Sequence, residues 1–426
     1  MTRYSFYEKR SGKIIFGCAW FLLLLMARDT LITSCILGFP LSQFTGLGIM
    51  VLLGILFLVW NRNNIKEILR DRRTICVGIA AVMVLLPMLV KHDWGYLLYF
   101  SVLLCLFFGI FLSYFISVEQ VAKHYVVMLS VLAVYSLVAT YILKPMVEMG
   151  EFSVPTFTNI AGAVFYDFKL SFVYAESNYY RNFGIFREPG VYQFFIIVAL
   201  YLNHYTVIWK RQWPMWLIDI ILTVTMFSTF STVGVVAVLL FAVVVFFDKK
   251  LYKNKFIAAA AILAIVAVAI VVGVIIVKNE GIYWTIYSML RKLLVWDISS
   301  NVRIDAIVTD VIIFFQNPIF GAGISEVMGA VAHNTTSTML LFCILGILGG
   351  LVSVICWIAL VWDKKRSILT NSMLLIILFM SFNTQDLIAD VFFWVFPLMA
   401  FVQRVLPYVN ISRPCIGKKS NKNLDL

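Results

Sequence analysis

Residues 256 to 277 read FIAAAAILAIVAVAIVVGVIIV, a run without a single charge. A helix needs about 20 apolar residues to cross the hydrocarbon core of a bilayer. This run meets that length, and the rest of the chain contains more like it. Twelve spans fit the pattern: 14–34, 41–60, 75–90, 95–116, 122–143, 189–208, 214–230, 232–247, 256–277, 334–362, 368–383 and 388–404. The stretch 214–247 reads as one kinked span or as two short ones. The break FSTFSTVG, 227 to 234, favours two with a turn between them.

Composition points the same way. Of 426 residues, 62% are hydrophobic and 13% are charged. A soluble domain is nearer half apolar and a quarter charged. The expected fold class is therefore an all-α polytopic membrane protein. Residues 1–426 would form one integral membrane domain, with two long extracytoplasmic loops, 144–188 and 278–333, and a cytoplasmic tail, 413–426.

The net charge of +12 would suit nucleic acid, but its distribution argues against that partner. With the N-terminus inside, cytoplasmic segments hold 24 of the 34 Lys and Arg, and the other face holds 10. Basic residues concentrate in cytoplasmic loops of membrane proteins, so the excess sets topology. Twelve spans then place both termini in the cytoplasm. Lys9, Arg10 and Lys13 precede an apolar run as in a signal peptide, but no small-residue cleavage site follows. The run reads as a retained first span. Seven scattered cysteines without a CxxC pair support neither a metal site nor a disulfide framework.

Long ordered loops in a compact fold are usually functional. The first is rich in aromatic residues, including Phe157, Phe165, Phe172, Tyr174 and Phe183. These suit either stacking on sugar rings or an interfacial aromatic belt. GAVFYDFKLSFVY, 162 to 174, alternates weakly and is expected to form a small hairpin. In the second loop NVRIDAIVTDVIIFF, 301 to 315, is amphipathic, which predicts a helix lying along the membrane surface.

Charges on spans or at their outer ends are few, so each is informative. The candidates are Arg181, Arg187, Glu188, Arg303, His333, Asp386 and Asp390. A histidine at the mouth of a span can take a proton from a hydroxyl, and it can equally be an interfacial hydrogen-bonding residue. Guanidinium groups bind phosphate in two-pronged fashion, although one alone also anchors a helix among headgroups. Asp386 and Asp390, one turn apart after FNTQ, suit a cation, an acceptor sugar or a loop end, and the loop end is the simplest reading. There is no Walker loop, HExxH, GxSxG or dinucleotide fingerprint, so the substrate is expected to arrive already activated in the membrane.

RNFGIFREPG (181 to 190), Arg303 ahead of NPIFGAG (317 to 323), and AHNTT (332 to 336) opening a span with GILGG (346 to 350) together resemble the Wzy-type polysaccharide polymerase and O-antigen ligase superfamily. The resemblance covers the chain from about residue 140, with the twelve-span plan. It implies a GT-C-like membrane glycosyltransferase in the bacterial plasma membrane, acting at its outer face on glycans carried by undecaprenyl pyrophosphate, with no cofactor or metal. Membrane lipids, a chain-length regulator and a flippase are the implied partners. It also implies a catalytic His333, and Glu188 beside Arg187 is kept as a reserve candidate for the base. Arg303, Arg181 and Arg187 become candidate pyrophosphate ligands, and Asn334 and Asp386 are expected to be supporting residues of the site. The eleven residues between HN and GILGG, Thr335 to Leu345, are a longer spacing than the family usually has. The nearest rivals are a ligase that moves the glycan onto lipid A core and a polysaccharide flippase.

Overall fold

A computed structural model describes residues 10–27, 30–32, 41–60, 73–93, 95–159, 162–176, 180–253, 287, 298–330 and 336–405. These residues are mostly helical, and a helix occupies each expected span but the ninth, 256–277, which lies outside them, as does the tail 413–426. The helices are α1 Arg10–Leu25, α2 Leu41–Trp60, α3 Thr74–Val90, α4 Tyr96–Phe115 and α5 Val118–Val138. A π-helical turn, Ala139–Leu143, leads from α5 into α6 Lys144–Glu148. After the first long loop come α7 Pro189–Tyr205, α8 Trp213–Ser228 and α9 Thr232–Asp248. Then follow α10 Ile298–Gln316, α11 Ile324–Ala330, α12 Ser337–Val361, α13 Ile368–Phe382 and α14 Val391–Val405. Leu97–Phe115, Val118–Glu148 and Ser337–Val361 are long and apolar enough to cross a membrane, and several shorter helices are apolar. The chain is a helical membrane protein.

Local chemistry sets several helix starts. Ser117 and Gln120 form a reciprocal capping box ahead of α5, each side chain accepting from the other's backbone N–H at 3.2 Å. Ser367 caps α13 by accepting from the Thr370 N–H at 3.0 Å. The stretch 214–247 forms two helices, α8 and α9, joined through Phe230 and capped by Ser231. The first span ends sooner than its apolar run suggests. Thr30 donates its hydroxyl to the carbonyls of Leu25 and Ala27, satisfying acceptors that α1 leaves open. The chain then leaves the helix, and Thr30 pairs with Phe186 in an antiparallel bridge.

Helix α7 is the centre of the bundle. It packs against α5, α8, α9 and α13, and its residues Val191 to Asn203 are all buried. A helix apolar all round belongs inside. Polar contacts join helix ends in two groups, as alternating spans require. At one end Asn182 meets Ser228, Lys91 meets Asn317 and Glu188 meets Gln385. At the other, Gln403 meets Ile116, Glu119 meets Ile208 and Arg404 meets Leu360. The first group carries both long loops.

The first long loop folds on itself. β1 Thr156–Thr158, β2 Val164–Asp167 and β3 Phe172–Tyr174 form an antiparallel sheet, with Phe165 opposite Tyr174 and Asp167 opposite Phe172. The expected hairpin is β2–β3. Phe165, Phe172 and Phe183 pack with Leu31 into a small core, the Phe165 and Phe183 rings edge-to-face at 5.4 Å. These rings therefore face one another and the first span, which neither the sugar-stacking nor the belt reading anticipated.

In the second loop the helix α10 separates its two carboxylates, Asp305 exposed and Asp310 buried. Asp310 is fully buried against α12, where its carboxylate accepts from the Thr336 hydroxyl at 2.6 Å. Asp305 is exposed, and so are Ile307, Val308, Ile312, Phe315 and Gln316. A buried carboxylate needs such donors, and the N-terminal edge of α12 supplies one.

Helix α12 is broken at Gly346, whose φ of 68° and ψ of −165° belong to a region that essentially only glycine occupies. The turn after Asn317 fills the break: Ala322 N–H donates to Cys343 O at 2.6 Å and Ile347 N–H to Pro318 O at 2.8 Å. A Cβ on Gly346 would strike the Ile319 carbonyl. NPIFGAG and GILGG are thus two halves of one joint.

Candidate functional site

The segment RNFGIFREPG ends the first loop and enters the buried α7. Asn182 fixes it. This residue is fully buried, donates to the hydroxyls of Ser136 at 2.9 Å and Ser228 at 3.0 Å, and accepts from the Gly184 N–H at 2.9 Å. Its own N–H reaches the Ser228 carbonyl at 2.9 Å. Every hydrogen-bonding group of its side chain is engaged, the condition under which a buried polar network rigidifies a structure. The neighbours of Asn182 are therefore held in place.

Arg181 lies half-buried and donates from Nε to the Thr229 carbonyl at 3.1 Å and from Nη2 to the Phe230 carbonyl at 3.4 Å. Those carbonyls close the C-terminus of α8, where a cation is favoured by the helix dipole. Arg181 thus has a structural task of its own. Arg187 is half-buried one residue before Glu188, which is exposed at the start of α7. Gln385 Nε2 lies 3.4 Å from Glu188 Oε2, a long hydrogen bond between α7 and the turn after α13. Gly190 makes that approach possible, because a Cβ there would collide with the Gln385 amide.

The turn that carries Gln385 and Asp386 is tied from two sides. Gln193, buried inside α7, donates to the Ser381 carbonyl at 2.9 Å and to the Thr384 hydroxyl at 3.1 Å. Ser337, the first residue of α12, donates to the Phe382 carbonyl at 2.9 Å and accepts from the Leu387 N–H at 3.0 Å. Asp386 sits half-buried in this turn. Asp390 is buried and accepts from the Phe392 N–H at 2.7 Å, capping α14. That is the loop-end role anticipated for the pair, now specific to Asp390.

Three segments therefore converge at the loop-bearing end: 181–190, 381–390 and the start of α12. The Glu188–Gln385 contact joins the segment that carries Arg187 to the turn that carries Asp386. His333 and Asn334 lie outside the described residues, three and two positions before Thr336. Arg303 is on α10, seven residues or two turns before Asp310, and its side chain also lies outside the described residues. Sequence reading missed Asn182, Gln193 and Gln385. The first sits within RNFG and the last within FNTQD, but an isolated amide announces no partner. Among the described residues no cluster of His, Cys, Asp and Glu has the makings of a metal site.

No family model, curated protein or solved structure matches this chain.

Proposed function

We propose that the chain is a membrane glycosyltransferase that polymerises lipid-linked oligosaccharide repeat units at the outer face of the bacterial plasma membrane. The observation that carries this reading is the contact of Glu188 with Gln385, which joins RNFGIFREPG to the turn holding Asp386 at the end of the bundle bearing both long loops. The donor is a growing glycan on undecaprenyl pyrophosphate, and the acceptor is the next lipid-linked repeat unit. An acceptor hydroxyl attacks the anomeric carbon as its bond to the pyrophosphate oxygen breaks. The hydroxyl proton passes to His333, with Glu188 as the reserve base, and undecaprenyl pyrophosphate departs. Charge grows on that leaving group in the transition state, where fixed guanidinium groups act most strongly. Arg187 and Arg303 supply them, and Arg181 joins as far as its bonds to α8 permit.

The break in α12 bears on the flippase alternative. Transporters use discontinuous helices to hold ions and substrates. Here the Cys343 carbonyl and the Ile347 N–H at the break are occupied by the turn 318–322. That favours a structural joint over a translocation site.

Deleting the gene and resolving the surface glycan on a gel tests the reading. The expected result is glycan shortened to a single repeat unit. Absence of glycan from its final anchor favours a ligase, and repeat units trapped on the cytoplasmic face favour a flippase.

A further inference from the structure

At the end of the bundle opposite the long loops, two connections that are far apart in the sequence meet on one ring. Tyr205 is the last residue of α7. Its ring stacks on Tyr201 at 5.5 Å and meets Phe241 of α9 edge-on at 6.2 Å, so α7 and α9 hold it in place. The Arg366 guanidinium lies 4.3 Å from the ring centroid and the Lys249 ammonium 5.3 Å from it. Arg366 belongs to the α12–α13 connection, and Lys249 directly follows α9. A cation over an aromatic face is attracted by the ring's quadrupole, which accounts for either one.

The ring does not account for both. Two cations this near one centroid are closer together than the Debye length of about 10 Å at 0.1 M salt, so their repulsion is only partly screened. The surrounding stretches, DKKLYK at 248–253 and DKKR at 363–366, hold six cations against two carboxylates. Those carboxylates stand at the long edge of ion pairing, Asp248 at 3.9 Å from Lys249 and Asp363 at 3.7 Å from Arg366. All five lysines of the two stretches are exposed. Arg366 is fixed among them, because it donates to the Val361 carbonyl at 3.1 Å, one of the acceptors that the end of α12 leaves open. The result is a net positive surface built from two parts of the chain.

Exposed rings lie on the same surface. Phe247 and Tyr252 pack together at 5.9 Å and both are exposed, as is Trp362 at the end of α12. Exposed aromatic rings beside lysines and arginines mark the headgroup level of a bilayer. An anion found at that depth, with an apolar body to lay against the rings, is a lipid phosphate.

We propose that Lys249 and Arg366, set against Tyr205, bind the phosphate of an anionic phospholipid in the leaflet at this end of the bundle. The lipid bridges the end of α9 to the α12–α13 connection. Topology asks only that loops on one side be rich in basic residues. A site asks for cations from two connections on one ring, and that is the arrangement here. The site is independent of the glycosyl-transfer reading, whose residues lie at the opposite end.

The test follows the thermal midpoint of the full chain in a nonionic detergent. It is titrated with short-chain phosphatidylglycerol, with phosphatidylcholine of the same chain length and with inorganic phosphate. Phosphatidylglycerol should raise the midpoint saturably, and the other two should not. A basic residue facing anionic lipid contributes about fivefold in affinity. Lys249→Gln, a change at an exposed position, should therefore raise the half-saturating phosphatidylglycerol concentration about fivefold and leave the lipid-free midpoint unchanged. Arg366→Gln should raise it at least as much, although it also removes the bond to Val361. Lys210→Gln combined with Arg211→Gln takes two charges from exposed residues of the α7–α8 connection at the same end, and should change half-saturation by less than about twofold. An equal rise with phosphatidylcholine overturns recognition by charge, and an equal rise with inorganic phosphate overturns the choice of a lipid. Unchanged half-saturation in Lys249→Gln, or an equal loss in the Lys210 and Arg211 control, overturns the site and leaves these loops a determinant of topology alone.

Discussion

The two long loops are held by opposite strategies. The first builds its own core: three strands bury Phe165 and Phe172 against Phe183 and Leu31. The second has no such core among its described residues. Its helix α10 leans on α12, its turn plugs the break at Gly346, and Asp93 and Lys91 clasp it from the α3–α4 hairpin. Apolar burial is non-directional and tolerates small shifts, whereas a few hydrogen bonds to buried groups fix one geometry. The first loop is therefore a rigid frame for RNFGIFREPG, and the second depends on a handful of polar anchors and one glycine.

The largest expected effects come from breaking each strategy at its centre. Gly346→Ala adds a Cβ where the backbone needs glycine, a strain of about 1–3 kcal/mol. It also displaces the turn, whose two hydrogen bonds contribute about 1 kcal/mol each. Phe172→Ala removes a fully buried ring and should cost about 3–5 kcal/mol within the first loop. The two totals are similar, but their reach should differ. Gly346→Ala should raise hydrogen exchange in both α12 and 317–330, while Phe172→Ala should raise it in 156–174 and leave α12 protected. Uniform loosening by either variant would mean that the loops are not independently held.

The smallest expected effect is with pH. Burial raises the pKa of Asp93, but its hydrogen bonds, led by the Ser325 hydroxyl at 2.5 Å, outweigh burial and hold the folded-state value below the ordinary 3.8. Its contribution to stability is then present above that value and is lost only as pH falls through the lower folded value. Lowering pH from about 8 to about 5 should leave exchange of 324–330 unchanged once it is corrected for the intrinsic pH dependence of amide exchange. A rise within that window would show that the tie depends on some other titrating group.

The helical membrane class was legible because a run of about 20 apolar residues has few other uses. Its punctuation was less so. The expected first span, 14–34, runs past the charged pair Arg28 and Asp29, and the bridge from Thr30 to Phe186 that accompanies the end of α1 at Leu25 joins residues far apart in the chain. No motif marks Asp93 in the sequence, and its partner Ser325 is 232 positions away. The aromatic residues of the first loop read as a binding surface or a belt because composition does not say what a ring faces. At the site, RNFGIFREPG was recognised for its arginines, but its buried asparagine does the fixing. Arg181 is partly committed to the carbonyls of α8, and that was visible only in three dimensions. It also makes Arg187 the cleaner probe, because a change at Arg181 disturbs α8 as well.

The central claim is tested most directly by elongation of purified lipid-linked repeat units by the isolated protein. Wild type should build a ladder of products. His333→Ala should be slower by about 10²–10⁴-fold, the usual cost of losing a general base. Arg187→Lys should lose much of the activity with its charge intact, because a point charge does not replace the planar two-pronged fork. Both variants running at the wild-type rate and half-saturating donor concentration would contradict the account and leave that stretch a membrane anchor.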